Sequence, residues 1–331
     1  MPVSLQTSVK KGRNAEQSTD IQLRCPRCFA SLGIPHDEDV TPFDCPICRS
    51  RMACEQGIWK ALLPERVARY ARFVQDYESI RASEGRGSEN ADYYLALPYR
   101  DLSGLHGSQW AMRARTFRYI ERRIVPRIAT VTQSRLRILD LGAGNGWMSH
   151  RLARLGHTPV AVDLLTNGQD GLGAARHYKQ ALTRMFPRFQ AELDNLPFCS
   201  GQFDLVIFNS SFHYSEDYEN TFAEAVRCTR DRGTVLIADT PWYSDERSGL
   251  QMIEERRALF IKRYGFASDE LKSLEFLTDQ RMESLEKRFD IQFHQYEPNY
   301  GIRWRMRPVM ARLRGSRKPS RFRIYAARIV R

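Results

Sequence analysis

The 331-residue chain lacks any apolar run approaching the ~18 residues needed to cross a bilayer. Its first twenty residues are polar and have no apolar core of the secretory type. We therefore expect a disordered tail over 1–20 and a cytoplasmic protein. The chain also lacks the dense cysteine of a small secreted domain, because three of its seven cysteines are scattered. This usage fits a reducing compartment and a metal site better than a disulfide framework.

Acidic residues are missing from the C-terminal segment. Gly301 to Arg331 holds eleven Lys and Arg and no Asp or Glu, so the net charge of +12 is concentrated there. A local positive surface indicates an anionic neighbour, such as RNA, acidic lipid or a phosphorylated small molecule. A solvated surface without a partner is the alternative.

Four of the cysteines form two C-x-x-C pairs. Cys25 and Cys28 are separated by sixteen residues from Cys45 and Cys48, which is the spacing of a four-thiolate zinc site. Two such turns close a tetrahedral shell, so the predicted role is structural. Redox dithiols are a weaker alternative, and His36 is either a substitute ligand or a surface histidine. We predict a zinc ribbon over 21–57 that folds separately from the rest.

Helical periodicity follows the ribbon. Pro64 opens a pattern with one apolar face that includes Tyr70 and Tyr77, and Ser108 resembles the N-cap of a second helix. The aromatic loop between them, Tyr93 to Arg100, is either a lid over a site or a linker that packs its rings on the core. We predict a helical linker and lid segment over 58–130.

Short apolar strands alternate with helices in the last predicted domain, 131–331. Such alternation predicts βαβ units, and hence a doubly wound, Rossmann-like α/β fold. The predicted sheet is seven-stranded, with a final antiparallel hairpin around the basic loop 301–320. The predicted strands are Arg137–Leu141, Pro159–Asp163, Arg188–Ala191, Phe203–Phe208, Thr234–Asp239, Ile291–Tyr296 and Phe322–Ala327. Further helices are expected near Gly249–Tyr264 and Ser268–Arg288.

A glycine-rich loop follows the first of these strands. Gly142 and Gly144 let the backbone approach a ligand, and the next helix begins with free N–H groups that suit an anion. A dinucleotide site needs G-x-G-x-x-G, but Trp147 holds the third position, which disfavours an NAD enzyme. Asp163 ends the next strand, where it can accept hydrogen bonds from ribose hydroxyls. Asp140 lies where the α-amino group of a methionine moiety would sit.

The motifs together resemble class I S-adenosylmethionine-dependent methyltransferases of the type 11 kind. They are Leu139-Asp-Leu-Gly-Ala-Gly-Asn-Gly146, Val160-Ala-Val-Asp163, Leu196-Pro-Phe198, Phe203-Asp-Leu-Val-Ile207 and Arg232-Gly-Thr-Val-Leu-Ile237. The resemblance covers roughly residues 136 to 240. It implies S-adenosyl-L-methionine as cofactor, an adenine contact from Glu192 and packing of Leu193 on the ring. A zinc ribbon before such a core also resembles, in architecture, bacterial methyltransferases of ribosomal RNA guanine.

The acceptor should meet the methyl group beyond the fourth strand of the core, which ends in Asn209-Ser-Ser-Phe-His-Tyr214. We assign Asn209 to the cofactor site. His213 is a candidate general base for a hydroxyl acceptor, or else it caps the strand or packs on the cofactor. Arg100 and Arg113 are candidates for the methionine carboxylate.

The predicted activity is methyl transfer to an unidentified acceptor, with a small molecule favoured. One alternative is an RNA methyltransferase that holds phosphates through 301–331. The other is a non-catalytic module with a methyltransferase-like fold. If the basic loop is extended, Arg303, Arg305 and Arg307 point to one face and Trp304 points into the core.

Overall fold

The computed structural model describes residues 21–33, 42–132 and 135–331. The strands are β1 Leu23–Arg24, β2 Ser31–Gly33, β3 Phe43–Asp44, β4 Arg51–Glu55, β5 Ile58–Lys60, β6 Arg137–Leu141, β7 Thr158–Asp163, β8 Arg188–Gln190, β9 Phe203–Asn209, β10 Thr229–Ala238, β11 Pro241–Trp242, β12 Phe293–Tyr296, β13 Arg321–Phe322 and β14 Ile324–Arg328. The α-helices are α1 Pro64–Ser83, α2 Ala91–Ala96, α3 Gly107–Tyr119, α4 Val125–Thr132, α5 Trp147–Arg154, α6 Tyr218–Cys228, α7 Glu246–Tyr264, α8 Asp279–Phe289, α9 Ile302–Arg305 and α10 Arg307–Leu313. A π-helical turn, Ile120–Ile124, joins α3 to α4, and 3-10 segments cover Leu172–Ala181 and Phe212–Tyr214.

The central sheet confirms the predicted fold class. All seven predicted strands lie in it, in the order β12-β14-β10-β9-β6-β7-β8. The strands from β10 to β8 are parallel, while β14 is antiparallel to both β10 and β12. The switch point of this doubly wound sheet lies between β6 and β9, where parallel α/β folds bind their ligands.

Three N-terminal strands extend this sheet. β5 pairs parallel with β8 through Trp59 and Phe189, β4 pairs with β5, and β3 pairs with β4. The described sheet therefore has ten strands, three more than the seven that the sequence predicts. The predicted boundary between 57 and 58 falls in the tight turn between β4 and β5. These strands are too short to show an alternating pattern, so the sequence did not indicate their pairing.

The core covers both faces of the sheet, because side chains alternate along each strand. On one face Leu139 and Val206 pack with α6, α8 and residues of the N-terminal strands. On the other face Ile138 and Leu205 pack with α2, α3 and α5. No helix in the described ranges is long and apolar enough to span a bilayer.

Two expectations from the sequence need correction. The stretch Ser268–Arg288 is helical only from Asp279 onward, where the side chain of Thr278 caps α8. The segment 301–320 is not extended, because α9 and α10 occupy much of it, so Arg303, Arg305 and Arg307 do not share a face. His36 and the tail 1–20 lie outside the described residues.

The connection between β12 and β14 leaves the sheet at the edge where the parallel strands end. Tyr296, the last residue of β12, pairs with Ile324, the first residue of β14. Ile237 near the end of β10 pairs with Tyr325. The connection therefore leaves the sheet at the carboxyl edge of the parallel strands. Trp304 is half-buried and stacks on Phe322 with ring centroids 5.3 Å apart.

Candidate active site

A cavity opens at the carboxyl edge of the parallel strands and encloses about 1170 Å³ including its mouth. Its walls are the loops after β6, β7, β8 and β9, closed over by α1 and part of α3. All seven residues predicted to bind the cofactor line it, namely Asp140, Gly142, Gly144, Asp163, Glu192, Leu193 and Asn209. Topology brings these residues together, since they come from four separate strand ends.

The loop after β6 needs its glycines for conformation and for space. Gly142 has a φ of +71° and Gly144 has a φ of +55°, in the region that L side chains rarely adopt. The backbone N–H groups of Gly142 and Ala143 both donate to the carbonyl of Val162, at 2.9 and 3.0 Å. This arrangement draws the loop against the end of β7, beneath the cavity.

We expect Gly142→Ala to destabilise the protein by about 2–5 kcal/mol. The left-handed backbone alone costs an alanine about 1–2 kcal/mol. The new Cβ would lie 2.2 Å from the Cβ of Ser211, and overpacking of that kind adds about 1–3 kcal/mol. Chemical denaturation measures the difference in unfolding free energy.

Gly156→Ala is the matched control, because Gly156 has a φ of +86° but no heavy atom within 4 Å of the position that a Cβ would take. It should therefore show the backbone cost alone. Equal losses in the two variants would mean that the contact with Ser211 does not constrain the loop.

Two buried carboxylates lie beside the glycine loop. Asp163 accepts hydrogen bonds from the backbone N–H groups of Gly144, at 2.7 Å, and Leu165, at 2.8 Å. Asp140 accepts one from the hydroxyl of Ser149 at 2.7 Å. Burial raises the pKa of both carboxyls to about 6, so both are mainly ionised at neutral pH. The cavity therefore presents negative charge where a cationic ligand would be stabilised.

Asn209 leaves an unsatisfied acceptor in the same place. It ends β9, is 8% exposed, and its Oδ1 has no hydrogen-bond partner within the described chain. An unpaired buried amide oxygen costs free energy that a ligand N–H would recover. The geometry suits a ligand with an amino group at this point.

Glu192 has a partner that the sequence did not suggest. Its Oε2 accepts from the Nε of Arg66, at 2.7 Å, and from the hydroxyl of Tyr70, at 3.0 Å, both on α1. The Nη2 of Arg66 also donates to this oxygen. The carboxylate therefore ties α1 to the loop after β8, and only Oε1 remains for a ligand.

An aromatic wall on α1 is the part of the site that the sequence did not reveal. Tyr70, Phe73 and Tyr77 line the cavity from α1, and Tyr214 meets Tyr77 edge-on with centroids 5.9 Å apart. Arg81, one turn further on, donates to Asp170. The sequence of α1 does show an apolar face rich in aromatic residues. Such a face predicts that the helix is packed on one side, but not that this side faces a cavity.

The aromatic loop Tyr93 to Arg100, a candidate lid, packs away from the cavity. Tyr93 and Tyr94 are buried in the core on the α3 side, and neither lines the cavity. The hydroxyl of Tyr94 donates to the backbone carbonyl of Gln169 at 2.6 Å. The structure thus favours the linker alternative for this loop, whereas α1 covers the cavity.

Arg113 is a cavity cation whose contacts within the described residues are weak. Its guanidinium stacks over the ring of Trp110 at 4.9 Å, and its hydrogen bond to the hydroxyl of Ser210 is 3.5 Å long. Burial lowers the pKa of this guanidinium. Arg100, the other candidate, is exposed and does not line the cavity. An anionic ligand group would therefore find its partner in Arg113.

His213 does not occupy the position expected of a general base. It is absent from the side chains that line the described cavity, although its neighbour Tyr214 is among them. The backbone carbonyl of His213, in the short 3-10 turn, accepts a hydrogen bond from the N–H of Glu275 at 2.9 Å. Burial lowers the pKa of the imidazole to about 4, which makes it a weak base. A side chain outside the cavity wall is also not placed to pack on a cofactor held in that cavity.

The two C-x-x-C turns meet in space. The four Sγ atoms of Cys25, Cys28, Cys45 and Cys48 all lie within 4.8 Å of one another. The Sγ atoms of Cys25 and Cys48 are 3.5 Å apart, as are those of Cys28 and Cys45. A tetrahedral zinc with Zn–S bonds of about 2.3 Å needs sulfur separations of about 3.8 Å, so the donor set fits this metal.

Comparison with known proteins agrees with the fold. Residues 139–237 match the family model of the methyltransferase domain. Together with the strand order and the glycine loop, this match supports a class I S-adenosylmethionine-dependent methyltransferase domain in this part of the chain.

Individual relatives are methyltransferases. The malonyl-[acyl-carrier protein] O-methyltransferase of Geobacter sulfurreducens is 34% identical over 125 residues, 36% of this chain and 45% of that protein. Its counterpart from Legionella pneumophila is 29% identical over 132 residues, 40% of this chain and 46% of that protein. The sarcosine/dimethylglycine N-methyltransferase of Halorhodospira halochloris is 29% identical over 109 residues, 33% of this chain and 39% of that protein. The chain thus spans less than half the length of each of these relatives.

Among solved structures, an S-adenosylmethionine-dependent methyltransferase from Mesorhizobium loti is similar with a TM-score of 0.40 and 20% identity. The similarity covers 61% of this chain and 96% of that one.

Proposed function

We propose that this protein transfers the methyl group of S-adenosyl-L-methionine to a small-molecule acceptor. The observation that carries the proposal is the cavity itself, in which the glycine loop, two buried carboxylates and the unpaired oxygen of Asn209 meet at the switch point of the sheet. The names of the relatives favour a small acceptor over RNA, for which these comparisons give no support.

The cofactor-binding residues have distinct proposed tasks. Asp163 accepts hydrogen bonds from the ribose hydroxyls, and the free Oε1 of Glu192 accepts from the adenine amino group. Leu193 packs on the adenine ring. Gly142 and Gly144 leave room for the methionine moiety, whose amino group points to Asp140 and Asn209. These assignments give every ligand donor an acceptor and leave the buried oxygens paired.

S-Adenosyl-L-methionine supplies a methyl group made electrophilic by its positively charged sulfur. The protein's part is to hold the acceptor in line with that methyl group and to exclude water. Tyr70, Phe73 and Tyr77 cover the cavity on the side of α1 and provide the apolar wall. The lining residues of the described cavity include no histidine, so we assign catalysis to the positioning of the two reactants rather than to His213.

We further propose that Cys25, Cys28, Cys45 and Cys48 hold one structural zinc ion. Four thiolates fill a tetrahedral shell and leave no open position for a substrate, so this site takes no part in the reaction. The metal would join the β1–β2 hairpin to the β3–β4 hairpin, because each contributes one C-x-x-C turn.

Titration calorimetry with S-adenosylmethionine tests the function, and Arg113→Met tests where the methionine moiety lies. Wild-type protein should bind S-adenosylmethionine saturably and should not bind NAD. If Arg113 pairs with the methionine carboxylate, the variant should lose affinity by about 10- to 150-fold, because hydrogen bonds to charged groups contribute ~1.5–3 kcal/mol. Methylthioadenosine, which lacks the amino acid moiety, should bind both proteins equally.

Arg115→Met is the control, since Arg115 is exposed on the same helix. Absence of S-adenosylmethionine binding to wild type would refute the function. An unchanged affinity in Arg113→Met would instead assign Arg113 to the acceptor. With methyl-labelled cofactor, label should enter the small-molecule fraction of a cell extract and not its RNA.

A further inference from the structure

The connection between β12 and β14 exposes an apolar stripe to solvent. Its five side chains recur at three- and four-residue intervals, so they share one face of a helix. They are Ile302 at 77% exposure, Met306 at 46%, Val309 at 49%, Met310 at 41% and Leu313 at 77%. Isolated exposed apolar residues are ordinary, but a contiguous helical stripe indicates an interaction site.

The stripe is continuous across the junction of α9 and α10. The N–H of Met306 donates to the carbonyl of Ile302 at 3.0 Å, and the N–H of Met310 donates to the carbonyl of Met306 at 3.0 Å. The helical hydrogen bonds therefore pass through the junction. Residues 302–313 act as one short amphipathic helix, which we call the C-terminal amphipathic helix.

The opposite side of this helix is attached to the protein. Trp304 stacks on Phe322 with an interplanar angle of 17°. The guanidinium of Arg307 lies 4.0 Å from the ring of Trp304 and donates to the carbonyl of Ser320 at 3.3 Å. The packed side thus carries the aromatic and polar contacts, and the apolar side faces outward.

Arginines flank the stripe on both sides. At about 100° per residue, Arg303 and Arg314 lie along one border and Arg305 and Arg312 lie along the other. All four are exposed, and none forms an ion pair with a carboxylate in the described chain. Arg317, just beyond the helix, differs from these because it already pairs with Glu255.

We propose that the C-terminal amphipathic helix binds the surface of an anionic phospholipid membrane. In such a contact the apolar side chains enter the boundary between headgroups and acyl chains, while the flanking guanidiniums stay level with the phosphates. RNA would engage the arginines but leave the stripe in water. If a second copy docked through the same face, the flanking arginines of the two copies would lie close together and repel each other. Only an anionic surface with an apolar interior satisfies both features of this helix.

The position of the helix gives this contact a consequence for the active site. The connection leaves the sheet at the carboxyl edge of the parallel strands, which is the edge where the cavity opens. Just before the helix, the hydroxyl of Tyr300 forms a hydrogen bond with the hydroxyl of Thr116 on α3. The same α3 also carries Arg113. Membrane contact would therefore hold the cavity edge towards the lipid.

Sedimentation with lipid vesicles tests the proposal on the full-length protein. We expect binding to vesicles of equal parts phosphatidylcholine and phosphatidylglycerol, with little binding to phosphatidylcholine alone and weakening at high salt. Combined Ile302→Ser, Met306→Ser and Leu313→Ser should reduce the partition coefficient at least about tenfold, because each buried methylene contributes to anchoring. Combined Arg303→Gln, Arg305→Gln, Arg312→Gln and Arg314→Gln should remove the preference for anionic lipid.

Leu155→Ser is the matched control, because Leu155 is 45% exposed but follows α5 at the opposite edge of the sheet. It should bind vesicles as wild type does. The proposal would be overturned if wild type did not bind anionic vesicles, or if the triple serine variant bound them as well as wild type does. It would also be overturned if analytical ultracentrifugation showed a dimer of wild type that the triple serine variant does not form. Cofactor affinity, measured in parallel, should be unchanged in every variant, so this test is independent of the proposed function.

Discussion

Replacing Cys25 by Ser should release the proposed zinc, unfold the ribbon, and weaken binding of S-adenosylmethionine by about tenfold or more, equivalent to ~1.4 kcal/mol. The first two effects follow from the chemistry of a small closed site, because structural zinc contributes about 10–16 kcal/mol in isolated zinc-finger peptides. The effect on cofactor binding follows from contacts that only the structure shows.

The ribbon holds two walls of the cavity. Arg27, between Cys25 and Cys28, pairs with Glu65 in the first turn of α1 at 2.8 Å. The side chain of Asn195 donates to the carbonyl of Pro26 at 2.9 Å, and this asparagine lies in the loop that begins with Glu192 and Leu193. Loss of the ribbon would remove these two contacts and leave α1 and this loop less ordered, so the cofactor would have to order them further on binding.

Cys54→Ser is the control, because Cys54 lies on β4 beside the site but outside the four-cysteine cluster. It should keep its zinc and its cofactor affinity. Metal analysis, limited proteolysis and calorimetry measure the three effects separately. If Cys25→Ser loses zinc but binds S-adenosylmethionine as wild type does, the ribbon and the cavity are independent, as the sequence alone suggests.

Replacing Asp163 by Ala should lower the affinity for S-adenosylmethionine by about 5- to 150-fold, because the ribose hydroxyls would lose their acceptor at ~1–3 kcal/mol. The carboxylate also orders the loop through the N–H groups of Gly144 and Leu165. Calorimetry on the variant alone would therefore combine two effects, the lost contact and a loosened loop.

A ligand lacking both ribose hydroxyls separates these effects. In wild type, the dideoxy analogue of S-adenosylhomocysteine should bind more weakly than the parent compound, and in Asp163→Ala the two should bind alike. The coupling between residue and hydroxyls is then isolated, as in a double-mutant cycle. If the dideoxy analogue is penalised equally in both proteins, Asp163 does not contact the ribose.

Strand ends were the most predictable part of the site. Gly142 and Gly144 directly follow β6, Asp163 ends β7, and Asn209 ends β9. Because parallel strands align their carboxyl ends at one edge, a correct strand assignment was enough to bring these residues together. The zinc cluster was equally local, since each C-x-x-C turn places two thiolates side by side.

Contacts between distant segments were not predictable in the same way. Arg66 and Glu192 are 126 positions apart, and nothing in either segment indicates that they meet. The aromatic face of α1 had a clear helical period, but periodicity shows that a face is buried and not what it is buried against. His213 follows β9 closely in sequence, and so it was expected at the site. The 3-10 turn Phe212–Tyr214 instead places Tyr214 in the cavity wall.

The sequence by itself determined the doubly wound sheet, the glycine loop, the acids at the strand ends and the cysteine pairs. These depend on short-range spacing and on hydrophobic alternation, which act within a single element or between neighbouring elements. Only the tertiary structure decided that the ribbon continues the central sheet, that α1 covers the cavity, and that the apolar side of helix 302–313 faces solvent. Those outcomes depend on which surfaces meet, and burial is settled by the packing of the whole chain rather than by any local pattern.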